Sequence, residues 1–159
     1  MRIVCSIGLR TGAELVRHML AVTAGARPEL ILLHVIDTGP HRELAELSGP
    51  LRFGPRPAAP RHGAAIDAAE EAAGRASLDE ALAEAGAAGV SAVARVERGK
   101  PEQVIVTVAR ETQATLVALQ ARERAEGHPF VGPASIGHVA RFVLDHAPCD
   151  VLLLRGLAP

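Results

Sequence analysis

The chain has 159 residues, 48% of them hydrophobic, and its 17 basic and 18 acidic side chains leave a formal charge of -1. That length suits one domain able to bury roughly 70% of its unfolded surface, and the balanced charge excludes a field that would gather nucleic acid or anionic lipid. Trp and Tyr are absent and Phe occurs three times, so the aromatic platforms on which single-stranded nucleic acid stacks are missing.

Arg2 to Ile7 opens with an apolar run that predicts the first strand. Leu15, Val16, Met19, Leu20 and Val22 recur at helical spacing, and Gly25 and Pro28 mark the end of that helix. Glu29 to Ile36, "ELILLHVI", predicts a second strand. From Asp37 to Gly63 the pattern dissolves into Gly, Pro, Arg and His, and because proline donates no backbone hydrogen bond this stretch predicts a long loop.

Ala64 to Ala88 is rich in Ala and Glu, with Leu78, Leu82 and Ala85 on one face, which predicts a long helix interrupted or weakened at Gly74. Ser91 to Glu97 alternates Ala or Val with polar residues, as a strand near a sheet edge does. Gly99-Lys100-Pro101 turns into a helix carrying Val104, Ile105 and Val108, followed by a buried strand at Thr115 to Gln120. A final helix bears Ile136, Val139, Ala140, Val143 and Leu144, and Val151 to Leu154 forms the last strand.

Strand and helix alternate throughout, and runs such as "LILLHV" are apolar on both faces, as strands covered from both sides must be. The expectation is a single α/β domain over 1–159: an open, doubly wound, five-stranded parallel sheet of Rossmann-like type, its long loop at about 37–63. Ligands of such sheets bind beyond the carboxyl ends of the strands where the winding reverses, so the residues after strands one, two and four are the place to look. Cys5 and Cys149 fall in or beside buried strands with no metal-ligand spacing around them, which makes them small hydrophobes. No apolar run reaches membrane-spanning length and no secretion signal opens the chain, which implies a cytoplasmic protein.

The segments "LLHVID", "ERGKPEQVIVTVARE", "TLVALQAR" and "GHVARFVLDHAPCDVLLLR" together resemble the universal stress protein family of the adenine nucleotide hydrolase superfamily, over nearly the whole chain. The resemblance implies strand order 3-2-1-4-5 and a homodimer joined through the last strand, Val151, Leu152, Leu153 and Leu154. It also implies that any ATP or AMP would lie against Ile7 and Gly8 after strand one and Val35 of strand two. Arg122 and Gly127 in the loop after strand four would complete the site with Ser135, Gly137, His138 and Val139 at the last helix.

ATP-binding members place an acidic residue after strand one and a G-x2-G-x9-G-S/T pattern before the last helix, where glycines admit phosphates to backbone N–H groups. Here Ile7 falls at the acidic position. Counting back from Gly137 matches Gly127 but puts Arg124 at the first glycine and His138 at the hydroxyl; counting forward puts Gln120 and Glu123 at the first two glycines. Pro133 stiffens the loop, and Glu123 and Glu126 add negative charge.

Gly137 and His138 therefore have two readings. With Ser135 and Arg122 or Arg124 they cradle an anion; or Ser135 is only the N-cap and His138 an exposed first-turn residue. His34 reads as a hydrogen-bonded core histidine, and His146 suits a helix C-terminus. No catalytic triad, carboxylate pair, Walker loop or metal cluster is legible, so an enzyme is not indicated and no metal is expected. The functional expectation is a regulatory or interaction domain that does not bind ATP in the usual way. The alternatives are a nucleotide-binding stress protein with an altered phosphate loop, and a sensor of another small ligand.

Overall fold

Among the described residues, strands and helices alternate as β1 (Arg2–Ser6), α1 (Gly12–Val22), β2 (Glu29–Asp37), α2 (Arg61–Ala87), β3 (Ser91–Gly99), α3 (Pro101–Glu111), β4 (Leu116–Gln120), α4 (His138–His146) and β5 (Asp150–Leu154). The computed structural model describes residues 1–24, 26–38, 61–121 and 136–155, the side chains of 61–67 excepted. The strands form one sheet in the order β3-β2-β1-β4-β5, and every ladder is parallel. This is the doubly wound α/β architecture expected from the alternation of elements.

Two-residue periodicity divides the core between the two faces of the sheet. Ile3, Cys5 and Ile7 join Leu30 and Leu32 beneath Leu15, Val16 and Met19 of α1 and Leu78, Ala81 and Ala85 of α2. Val4, Ile31 and Leu33 face the other way and meet Ile105, Val108 and Ala109 of α3 and Ala140 and Val143 of α4. Because β1 is central and covered on both faces, Ile3, Val4 and Cys5 are wholly buried.

Some boundaries move. Strand β2 runs through Asp37, and α2 begins at Arg61, so residues Arg61 to Gly63 are helical where a loop was expected. The rest of the expected loop, 39–60, lies outside the described residues. Helix α2 also passes through Gly74 without a break. Gly74 is where the ring of His34 packs on the helix: a Cβ there would stand 2.2 Å from His34 Nε2. What local propensity reads as a weakness is a close tertiary contact.

Edge strand β3 is guarded by charge, since Arg95 binds Glu97 at 2.6 Å and Glu111 at 3.1 Å and Arg98 pairs with Glu71. At the opposite edge, β5 pairs among the described residues only with β4; Val151, Leu152 and Leu153 are half-buried and Leu154 is buried. Among the described residues no helix is long and apolar enough to cross a membrane.

Candidate functional site

A cavity of about 490 Å³ opens beyond the carboxyl ends of β1, β2 and β4, within the size range of small-molecule sites. Ser6 to Leu9 follow from β1, His34, Val35 and Asp37 from β2, and Leu119 and Gln120 from β4. Glu70 of α2, Pro101 of α3 and Ile136 to Ala140 at the start of α4 complete the lining. Of the sequence-predicted site residues, the cavity brings together Ile7, Gly8, Val35, Gly137, His138 and Val139. Arg122, Gly127 and Ser135 lie outside the described residues.

The backbone leaves β1 through Ser6, Ile7, Gly8 and Leu9, none of which carries a carboxylate. Ile7 is 3% exposed and belongs to the core beneath α1 and α2. Its carbonyl accepts a 3.0 Å hydrogen bond from His34 Nδ1, which keeps the proton of the neutral ring on that nitrogen. His34 Nε2 is then an acceptor, buried and without a hydrogen-bond partner.

Across the crevice between β1 and β4, Thr11 Oγ1 donates a 2.7 Å hydrogen bond to Gln120 Oε1. At the opposite wall Gly137 is the N-cap of α4 with φ 86°, a conformation that favours glycine. The capping position thus falls on Gly137, two residues after the Ser135 expected from sequence, and no side-chain cap bond is made. His138 is exposed, and its Nε2 stands 3.5 Å from Oε1 of Glu102, a buried carboxylate in the first turn of α3. Sequence reasoning missed Glu102 and Thr11. An acid just after Pro101 reads as ordinary helix-start chemistry, and Thr11 meets Gln120 only across 109 residues of chain.

His146 fits its expected place: Nδ1 lies 2.9 Å from the Phe142 carbonyl, and the two rings stack at 4.1 Å. Among the described residues no group of three potential ligands could hold a metal ion. Both cysteines are free.

Burial pushes the Cys5 thiol from 9.0 up to about 12. Burial, with Asp150 adding to it, raises Cys149 as well. Between those two values the unfolded chain loses the Cys5 proton while the folded chain keeps it, so stability falls as pH rises through that window. From about pH 8 to about pH 10 this amounts to roughly 1–2 kcal/mol. Urea unfolding of Cys5→Ala is expected to lose that much less over the interval than the parent; equal losses would contradict the assignment.

An open parallel sheet with its cavity at the point where the winding reverses defines a doubly wound α/β fold. The profile of the Universal stress protein family matches residues 1–155, and the chain belongs to that family. Universal stress protein E of Salmonella typhi is 36% identical over 63 residues, 40% of this chain and 19% of that protein. The matched stretch therefore covers about a fifth of the length of that curated relative. Among solved structures, universal stress protein UspA from Lactobacillus plantarum superposes with TM-score 0.69 at 18% identity, covering 98% of this chain and 97% of that one. A family protein from Arabidopsis thaliana with AMP bound gives TM-score 0.59 at 15% identity, covering 98% and 91%. At such identities the likeness is one of fold.

Proposed function

We propose that this chain is a regulatory or interaction domain whose cavity does not hold ATP in the family's usual way, and that two copies pair through β5. One observation carries the first part: the backbone leaving β1 supplies Ile7 and Gly8 where a sugar-gripping carboxylate would stand. A ribose hydroxyl placed there meets an apolar side chain or none, and its lost hydrogen bonds with water go unreplaced. The β5 edge supports the second part, since half-buried Val151, Leu152 and Leu153 carry no charge or proline to guard them.

Equilibrium titration with ATP, with and without magnesium, tests the reading. Saturation in the micromolar range sinks it and favours instead nucleotide binding through the altered loop, Gly137 and His138, as the AMP-bound relative would suggest. In that event His138→Ala and Gly137→Val each weaken ATP, the second by blocking backbone approach. Light scattering tests the pairing: a dimer at micromolar concentration supports it, a monomer opposes it.

A further inference from the structure

We infer that the outer edge of β3 is a self-association surface, on which a second copy of this chain pairs antiparallel about a two-fold axis through Val96. Among the described residues β3 pairs only with β2, and its other side presents a row of backbone donors and acceptors. The face that β3 turns toward α3 is incompletely covered: Val93 is 59% exposed, although strands of parallel sheets are ordinarily buried on both faces. This edge lies across the sheet from β5 and shares no residue with the pairing proposed there.

The charges that guard β3 against indiscriminate pairing also select its partner. A two-fold axis normal to the sheet keeps each face in place and sets residues equally far before and after Val96 opposite one another. Arg95 then faces the partner's Glu97, and Glu97 the partner's Arg95; opposite charges directly across an antiparallel pair are favourable. Moving the axis by one residue toward either end places Arg95 against Arg95 or Glu97 against Glu97, so like charges reject the neighbouring registers. Arg95 and Glu97 are joined at 2.6 Å within each copy, which orders both side chains before the partner arrives.

The same axis accounts for the exposed valine. Val93 falls opposite the partner's Gly99, and the space a side chain would take at Gly99 belongs to Val104, whose Cγ2 would stand 2.9 Å from a Cβ there. Val93 of each copy is thereby brought beside Val104 of the other, and apolar surface is removed from water. The axis also reverses α3, turning Lys100 at the start of one helix toward Glu111 at the end of the other. Apolar contact and charge agree on one register, and that agreement is what separates a specific partner from a chance one.

Arg95→Glu and Glu97→Arg, the fold of each checked by circular dichroism, both put like charges across the axis. Sedimentation velocity of the full chain at low salt is expected to show self-association about tenfold weaker in either variant than in the parent. Mixed in equal amounts, each variant supplies the charge the other needs, and association is expected to return to the parent's level. Association that neither substitution weakens runs through another edge such as β5; it leaves that pairing standing and overturns this inference. A mixture that associates no more tightly than either variant alone overturns it too, as does a parent that stays monomeric at millimolar concentration.

Discussion

Gly12→Ala is expected to destabilise the fold by about 1–2 kcal/mol, although alanine is the better helix former. Gly12 opens α1 against α2, and a Cβ there would lie 2.3 Å from the Ser77 carbonyl oxygen, 2.7 Å from Ser77 Oγ and 3.1 Å from Ile7 Cγ2. The nearest obstacle is main chain inside a continuous helix, so relief requires α1 and α2 to separate. Such separation opens the core between Leu15, Val16 and Met19 on one helix and Leu78, Ala81 and Ala85 on the other. Overpacking of this kind costs about 1–3 kcal/mol, against about 1 kcal/mol at most regained from helix propensity. Ser77→Ala in the same chain removes only the hydroxyl and restores little. A urea midpoint for Gly12→Ala at or above that of the parent would show that the helices are not in this contact.

Gly74→Ala is expected to cost a comparable amount, but for a reason that can be undone. The added Cβ would fall 2.2 Å from Nε2, 2.3 Å from Cδ2 and 2.8 Å from Cε1 of His34. The ring cannot swing aside freely, because Nδ1 is held by the Ile7 carbonyl at 3.0 Å. Here the obstacle is a side chain, so His34→Ala in the same chain makes room for the new methyl group and removes an unsatisfied acceptor. A double-mutant cycle is expected to give a favourable coupling above about 1 kcal/mol. Additive effects would mean that residues 34 and 74 do not meet.

The sheet was legible because its evidence is local. Apolar runs such as Leu30 to Leu33 mark strands covered on both faces, and turn residues such as Gly99 before Pro101 separate the elements. Of the cavity lining, Ile7, the residue after β1, could be placed from sequence because its position follows directly from the end of a strand. Gly74 misled because propensity weighs a helical glycine against its neighbours in sequence, while the requirement for it comes from a ring on another element. The same holds for Thr11 and Gln120, whose bond spans 109 positions, and for Glu102, which meets His138 only when α3 and α4 lie side by side. The N-cap moved from Ser135 to Gly137 because a glycine in the left-handed region can begin a helix without a side-chain acceptor.

Amide resonances report on this crevice one residue at a time. In nitrogen–proton correlation spectra of the labelled chain, millimolar magnesium ATP is expected to leave Gly8, Val35 and Gly137 where they stand in the free protein. Saturable, slowly exchanging shifts at those three amides would place the nucleotide in the cavity and contradict the account.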